Sequence, residues 1–438
     1  MKDEILLHSL AEVLRFFLYI VIVLVSTGVS FGQITQLNGY FPVNNYTNDD
    51  FNSPVQIWTG EQTEQGIFVF GNDKNIISFN GTDWSFVQLD TSKSNIPLAD
   101  IKEKEVYKLF KSTDGTIYVS RKNALGRLEY NDQGKLSFVP FHYDSTLTKT
   151  WYIYESADRS ILFTSNDRVL KYFPDSDSLI TILTKEQVNN GIINSSVQFG
   201  NKLMLGVSYE KKENRSNGQF FVLDYLNKGS IQPVSTDNER KSYQFRSSYM
   251  ANDTNYFVDY RGGVYYLNGR NNTLEKRFQL RRNGENREIR TNYLVKHGKY
   301  LWVATANHGV EIYDLKGNII REFGEVEGLQ DLNVFSLFFD KDNNLWLNLD
   351  NGIANIEFSS PTASWDRNQG LEGAAEALII EDNEIFIATR AGIFNSYAAS
   401  NRMLFKNTRI VEESCFDIKS FNTDFGKRKL VVGYSGIY

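Results

Sequence analysis

Cysteine, histidine and proline are scarce in this chain. Of its 438 residues one is cysteine, four are histidine and seven are proline. The single cysteine, Cys415, excludes a disulfide framework within the chain and a cysteine-based zinc site. The formal net charge of −6 gives no general attraction to the phosphate backbone of DNA or RNA. Nucleic acid is therefore not an expected partner.

Aromatic residues and glycine, in contrast, are abundant. The chain has 24 Tyr, 31 Phe and 31 Gly, and 41% of its residues are apolar. Short apolar runs alternate with clusters of Asn, Asp and Gly, which is the composition of β-strands joined by tight turns. Such a chain can bury a large core instead of staying disordered. The composition predicts an all-β fold.

The N-terminal segment contains one long uncharged run, FFLYIVIVLVSTGVSFG, at residues 16–32. Ser30 and Gly32 place small residues at the −3 and −1 positions that a signal peptidase accepts. We predict that residues 1–32 are a signal peptide and that the protein is exported. A retained membrane anchor is the alternative.

An aromatic or apolar pair recurs along the whole chain. The spacing between the first residues of successive pairs ranges from 40 residues (Phe386 after Trp346) to 52 (Phe257 after Leu205), and five of the eight spacings are 43 to 45 residues. This period is typical of propeller blades and too long for leucine-rich or ankyrin repeats. The anchor pairs are Phe68-Val69, Tyr118-Val119, Leu162-Phe163, Leu205-Gly206, Phe257-Val258, Trp302-Val303, Trp346-Leu347, Phe386-Ile387 and Val431-Val432.

Each period contains strands separated by turns, which predicts a β-propeller built of four-stranded antiparallel blades. The anchor aromatics are expected to pack between neighbouring blades. A glycine follows several anchor strands and is expected to take positive φ in a hairpin, as at Gly309, Gly352, Gly392 and Gly436.

The two ends of the repeat region predict how the ring closes. Residues 42–51 look like an outermost strand and its exit turn, which would complete the last blade and leave no exposed edge. The ninth copy, in contrast, breaks off at Tyr438. We predict a seven-bladed propeller over residues 33–371 and the first blades of a second propeller over residues 372–438. Closure with eight blades stays open.

Three stretches carry a glycine, tryptophan and "GL" turn pattern: Tyr300–Thr305 (YLWVAT), Glu327–Val334 (EGLQDLNV) and Asp342–Ile353 (DNNLWLNLDNGI). They closely resemble the two-component regulator propeller repeat of the periplasmic sensor regions of hybrid histidine kinases and related regulators in Bacteroidetes-type bacteria. Residues 77–84 (ISFNGTDW) are similar to the first blade of members that carry two consecutive propellers. The resemblance covers about residues 40–438.

The resemblance implies a periplasmic ligand-sensing portion of a regulator that controls transcription. In such proteins the propellers are followed by a small β-sandwich, a membrane helix and a kinase or helix-turn-helix output domain. None of these is recognisable in this sequence, so any histidine kinase activity is expected in parts beyond a fragment that ends at Tyr438. A homodimer is expected through the same parts, and membrane contact only through them or through the signal peptide.

No catalytic group stands out. The nearest match to a sialidase-type turn, Ser112–Thr116, has its glycine one place early and lacks the tryptophan. Carboxylates lie mainly in turns such as 340–342, where acid–base chemistry in a pocket is not expected. We predict no enzyme, no cofactor and no metal site.

The loop after the anchor strand is repeatedly basic, and in a propeller this loop lies on a face where ligands commonly bind. Such cations predict a basic ring around one mouth, suited to an anionic ligand such as an acidic or sulfated oligosaccharide. The alternative is a set of scattered solvated cations. The candidate ligand-binding residues are Lys74, Arg121, Arg168, Arg261, His308 and Arg390, with Lys122, Lys211 and Lys212 beside them.

Two other functions remain open from the sequence. The chain would serve as an exported binding or adhesion scaffold if no output domain followed it. It would be a polysaccharide-active enzyme if the fold brought together paired carboxylates or a metal, although no cluster in the sequence indicates either.

Overall fold

The computed structural model describes residues 39–438, apart from 93–95, 97–100, 102–103, 210–216, 227–228, 237–243, 269–272, 283–288, 382–383, 400–401 and 425. The predicted signal peptide and the candidates Lys211 and Lys212 lie outside the described residues. Among those described, no helix is long and apolar enough to cross a membrane.

Seven consecutive four-stranded blades form one ring, and blades four and five are joined at their outer edges into a single eight-stranded sheet. Their strands, in chain order and from the innermost outward, are Thr59–Gln62, Phe68–Gly71, Ile76–Phe79 and Trp84–Phe86 in blade one; Val106–Lys111, Ile117–Arg121, Ala124–Tyr130 and Leu136–Tyr143 in blade two; and Thr150–Glu155, Ile161–Ser165, Arg168–Phe173 and Ser178–Thr184 in blade three.

The remaining four blades repeat this arrangement. Their strands are Ile192–Phe199, Lys202–Tyr209, Asn217–Asp224 and Ser230–Thr236 in blade four; Phe245–Ala251, Thr254–Asp259, Gly263–Asn268 and Thr273–Gln279 in blade five; Thr291–His297, Tyr300–Thr305, Val310–Asp314 and Ile319–Phe323 in blade six; and Val334–Phe339, Leu345–Leu349, Gly352–Ile356 and the N-terminal strand Val43–Tyr46 in blade seven.

The N-terminal strand closes the ring as the sequence predicts. Val43 pairs with Ile356 and Tyr46 with Ile353, antiparallel and at the outer edge of blade seven. The innermost strand of each blade contacts that of the next, and blade seven contacts blade one. Gly352 has φ +101°, and a Cβ at this position would overlap the carbonyl oxygen of Tyr46. The fold is therefore a seven-bladed β-propeller.

The core is divided among the blade interfaces. A separate cluster of buried apolar side chains fills each of the seven interfaces, including the one between blades seven and one. The anchor residues Phe257, Trp302 and Trp346 are buried, as expected. Trp346 lies in the closing interface, where its ring stacks on Tyr46 with 6.1 Å between centroids. Closure thus rests on aromatic packing as well as on strand pairing.

A further sheet follows the ring, with strands Ala375–Glu381, Glu384–Thr389, Gly392–Ala399 and Arg402–Asn407, and then a hairpin of Cys415–Thr423 and Gly426–Gly433. The two pack through Ala388, Ile393, Val411 and Ile418 in the manner of adjacent blades. The sequence predicts the first blades of a second propeller here, and that assignment stays a prediction. The boundaries at residues 32 and 371 stay predictions.

Several details could not be seen in the sequence. The outermost strands of blades four and five pair in parallel through Ser235 and Thr273, and a short strand, Gln88–Leu89, pairs in parallel with the outermost strand of blade two. Of the four hairpin glycines, Gly436 alone lacks a positive φ. Within the described residues the helical segments are the helix Asn48–Phe51 and the 3-10 turns Pro174–Ser176, Lys185–Val188 and Arg367–Gln369.

Candidate functional site: the central channel

The seven innermost strands enclose a water-accessible cavity of about 780 Å³ on the propeller axis. All seven blades contribute to its walls. A cavity of this size is within the range of small-molecule binding sites. We therefore take the channel as the candidate site.

A β-bulge near the start of the innermost strand shapes one end of this channel. In blades two to seven the pairing register shifts by one residue at the same place, as between Val106 and Lys108. In blade one Trp58 stands just before the strand and donates its N–H to the carbonyl of Gly71. A bulge re-aims one side chain. The residues at this position, which we name the mouth residues, all line the cavity: Trp58, Tyr107, Trp151, Asn194, Arg246, Asn292 and Phe335.

One half of the mouth is aromatic. Phe335, Trp58, Tyr107 and Trp151 come from the adjacent blades seven, one, two and three. The Trp58 ring lies parallel to Tyr107, with 6.3 Å between centroids, and meets Trp151 edge-on at 5.6 Å. Trp151 and Tyr107 are 5.0 Å apart. The blades thus supply a continuous aromatic surface that can pack against an apolar face of a ligand.

The other half of the mouth is polar. Asn194, Arg246 and Asn292 come from blades four, five and six. Oδ1 of Asn194 and Nε of Arg246 are both buried and have no hydrogen-bond partner among the described residues. No carboxylate of the described chain forms an ion pair with Arg246, whose guanidinium carbon lies 5.1 Å from the centroid of the Tyr260 ring. This half presents an acceptor and a cationic donor to whatever enters.

The aromatic half is held in place by side-chain hydrogen bonds. The indole N–H of Trp58 donates to Oε1 of Gln56 at 2.9 Å, and Nε2 of Gln56 donates to Oδ1 of Asp350 at 2.5 Å. The Tyr107 hydroxyl donates to Glu105 at 2.7 Å. Because these bonds fix the rings before a ligand arrives, little side-chain entropy is lost on binding.

Charged and phenolic groups face the cavity further along the strands. Glu61 lies three residues after Trp58, Lys108 one after Tyr107, and Tyr293 one after Asn292. Enclosure by the channel raises the pKa of Glu61 to about 7, against the opposing effect of Lys108. The same enclosure lowers the pKa of Lys108 and raises that of Tyr293 to about 12. We name Glu61, Lys108 and Tyr293 the inner chamber.

None of the sequence-predicted cations that the structure describes lines this cavity. Lys74 and Arg261 are exposed in the turns between the second and third strands of blades one and five. These turns lie at the mouth end of the channel, because the N–H of Tyr260 donates to the carbonyl of Gln244, next to the innermost strand of blade five. Both cations can therefore reach the surface around the mouth.

His308 lies in the corresponding turn of blade six, and Arg121 and Arg168 are strand-end residues beside the corresponding turns of blades two and three. All three have partners within the protein. Arg121 is buried over the Phe138 ring, 5.0 Å from its centroid, and burial lowers its pKa to about 10. Arg168 forms ion pairs with Asp144 at 2.9 Å and with Asp167 at 2.7 Å. Nδ1 of His308 is hydrogen-bonded to an Arg282 guanidinium nitrogen at 2.9 Å.

Arg390 does not join the other candidates. It lies between the second and third strands of the sheet that follows the ring, and it pairs with Glu376 at 2.7 Å. A single mouth formed by all six predicted cations is therefore not present.

The mouth residues were missed by the sequence analysis, although a signal exists. Each lies 10 or 11 residues before the first anchor residue of its own blade, as Trp58 before Phe68 and Arg246 before Phe257. Aligning that column would have shown aromatic residues in consecutive repeats. In the described part of the chain, no three His, Cys, Asp or Glu side chains are grouped as metal ligands.

Comparison with known proteins gives a likeness of fold. No family model and no curated protein matches the chain. Among solved structures it is similar to the extracellular domain of a putative hybrid two-component system from B. thetaiotaomicron (TM-score 0.64, 16% identity, 91% of this chain and 53% of that one). It is also similar to the extracellular domain of a putative one-component system from the same organism (TM-score 0.51, 12% identity, 91% and 52%).

A third similar structure is virginiamycin B lyase from Staphylococcus aureus (TM-score 0.50, 14% identity, 72% of this chain and 98% of that one). The chain spans about half the length of the two extracellular domains. It thus shares its propeller fold with extracellular domains of the class of bacterial regulator that its repeats resemble.

Proposed function

We propose that this chain is the exported, periplasmic ligand-sensing portion of a one- or two-component regulator, and that its ligand is an anionic oligosaccharide bound at the mouth of the central channel. The regulator would control transcription through an output domain across the membrane. The fold shared with extracellular domains of two such systems supports the sensing role.

The division of the mouth into two halves carries the ligand assignment. A sugar ring has an apolar C–H face that packs on aromatic rings and polar edges that form hydrogen bonds. Trp58, Tyr107 and Trp151 supply the aromatic surface, and Arg246 lies across the mouth from it without a carboxylate partner in the described chain. An acidic or sulfated sugar supplies the missing anion, because a guanidinium binds carboxylate and sulfate oxygens through charge-assisted hydrogen bonds.

We propose binding rather than catalysis in this channel. Glycoside hydrolysis by the common mechanisms uses two carboxyl groups that flank the scissile bond. Among the described lining residues Glu61 is the only carboxylate.

Calorimetric titration of a small set of tetrasaccharides tests the proposal. Tetragalacturonate and a chondroitin sulfate tetrasaccharide are the anionic probes, and xylotetraose is the neutral one. We expect Arg246→Met to weaken binding of the anionic probe by roughly 10- to 100-fold, as for loss of a charged hydrogen bond. Trp58→Ala and Trp151→Ala should weaken it as well. Binding of the anionic probes that is unchanged in all three variants would exclude this site.

Arg261→Met is the matched control for Arg246→Met. Arg261 is exposed on the same face but lies outside the cavity, so its loss should change affinity little. If Arg261→Met and Lys74→Met lowered affinity more than Arg246→Met, the loops rather than the channel would bind the anion.

The gene sequence after the codon for Tyr438 distinguishes a sensor that regulates transcription from a protein that only binds its ligand. A membrane helix with a kinase or DNA-binding domain supports the regulator, as well as the homodimer that we propose to form through those parts. A stop codon there would contradict regulation and favour a binding or adhesion scaffold.

A further inference from the structure

The inner chamber holds two opposite charges that do not touch. Glu61 accepts a hydrogen bond from the backbone N–H of Lys111. No ion pair within 4.0 Å joins Glu61 to Lys108, or Lys108 to any carboxylate, in the described chain. The ammonium of Lys108 instead lies 5.3 Å from the centroid of the Tyr293 ring. Both charges therefore face the cavity with hydrogen-bonding capacity left over.

A hydroxyl group fits between such charges better than other small groups. It donates its hydrogen to a carboxylate and accepts a hydrogen bond from an ammonium, so that one group satisfies both. The Tyr293 hydroxyl, for which no partner is found in the described chain, can donate or accept beside them. A sugar carries several hydroxyls, each of which can donate and accept a hydrogen bond.

The ring limits how a sugar chain can reach this chamber. Seven innermost strands surround it, and successive strands contact each other around the whole circle. A polymer therefore has no lateral entry, and only its end can pass the mouth residues. The enclosed position also makes each unsatisfied polar group costly, which favours a ligand that satisfies all of them.

We propose that Glu61, Lys108 and Tyr293 form a subsite for the terminal sugar of the oligosaccharide, which enters the channel end-on and leaves its anionic group at Arg246. This inference rests on the proposed function, because it assumes that the mouth binds a sugar. It assigns to the propeller the recognition of chain ends, so that short products of polysaccharide cleavage bind and the interior of a long polymer does not.

The test uses the full chain with tetragalacturonate and a chondroitin sulfate tetrasaccharide, each in three forms. These are the unmodified probe, the probe reduced to an alditol at its reducing end, and the probe methylated on the hydroxyls of its non-reducing terminal sugar. We expect one end modification, and not the other, to weaken binding at least 10-fold. Glu61→Gln and Lys108→Met should each weaken the unmodified probe 10-fold or more and abolish the difference between its forms.

Matched controls are Lys296→Met and Glu325→Gln, both exposed and outside the channel, which should bind as the unaltered protein does. Thermal melting of every variant verifies folding. Tolerance of both end modifications, or unchanged affinity in Glu61→Gln and Lys108→Met, would overturn the terminal subsite. If Arg246→Met still bound the anionic probes more weakly than the unaltered protein does, the proposed function would stand without the terminal subsite. No binding of any form at millimolar concentration would overturn both.

Discussion

At the scale of single residues, Glu61 is a group whose surroundings strongly alter its chemistry. Its ordinary pKa of 4.5 is raised to about 7 because the channel keeps bulk water away, although Lys108 and Lys111 oppose the shift. The folded protein thus holds the Glu61 proton more tightly than the unfolded chain does. Between pH 4.5 and 7 a rise in pH favours the unfolded chain, and the stabilisation is lost above pH 7.

We therefore expect the stability of Glu61→Gln, relative to that of the unaltered protein, to rise from pH 5 to pH 8 by roughly 2 kcal/mol after allowance for solvent in the channel. Urea denaturation at the two pH values measures the difference. Titrating groups that do not interact with Glu61 contribute equally to both proteins and cancel. Glu325→Gln, at an exposed site, should show no such difference. An equal change from pH 5 to pH 8 in both proteins would contradict the enclosure of Glu61.

The candidate site also shows what single residues cannot reveal in a sequence. Lys74, Arg121 and Arg168 all follow an anchor strand, and yet one is exposed, one is buried over an aromatic ring and one is paired with two aspartates. Their partners come from other strands or from loops whose course depends on the assembled blade. The position of a cation in such a loop therefore predicts on which face of the propeller it lies. It does not predict whether that cation can contact a ligand or is already paired within the protein.

At the scale of strands and turns, the sequence predicts most of the blades because each blade is a local unit. Second strands such as Trp346-Leu347 are apolar on both faces, since they are covered by a blade on either side. The bulges on the innermost strands were not predicted. A bulge depends on how a strand bends toward the axis of the closed ring, and no residue type is required for it.

The closing strand permits a direct test of the ring. Asn44→Pro combined with Asn45→Pro should lower stability by roughly 2–4 kcal/mol, because proline at position 44 removes a ladder N–H. Three side-chain hydrogen bonds, to Glu357, to the Gly328 carbonyl and from the Gln330 N–H, are lost as well. Thermal melting and limited proteolysis near residue 46 measure the effect.

Asn48→Pro is the matched control for the closing strand. It occupies the first helical position after the N-cap Thr47, where proline is tolerated, and Thr47 is already extended, with φ −118° and ψ −176°. Equal loss of stability in the control and in the double variant would show that the pairing with blade seven contributes little.

At the scale of the whole molecule, the seven blades share one fold but differ in sequence, so that the ring is chemically asymmetric. Seven similar blades supply a symmetric frame, but the mouth residues divide it into an aromatic and a polar half. The protein has a net charge of −6, so that attraction of an anion has to be local. Arg246 provides that local charge in the polar half of the mouth, opposite the aromatic half.

The ring and the sheets that follow it differ in how completely their apolar side chains are buried. All seven blade interfaces lie within residues 39–371. Large exposed apolar side chains are frequent after residue 374, namely Leu378, Ile380, Tyr397, Ile410, Phe416, Phe421, Tyr434, Ile437 and Tyr438. Such a surface favours self-association.

A chain shortened to residues 33–371 should therefore fold as a closed ring and bind the same probes as the full chain. Its melting midpoint should stay within about 5 °C, since the described contacts that are lost are few, among them the Tyr40 hydroxyl to the Met403 carbonyl and Trp365 against Phe405. Size-exclusion chromatography should show less association than the full chain does. A drop in the midpoint of more than about 10 °C would mean that the following sheet supports the ring, and that the boundary at residue 371 is wrong.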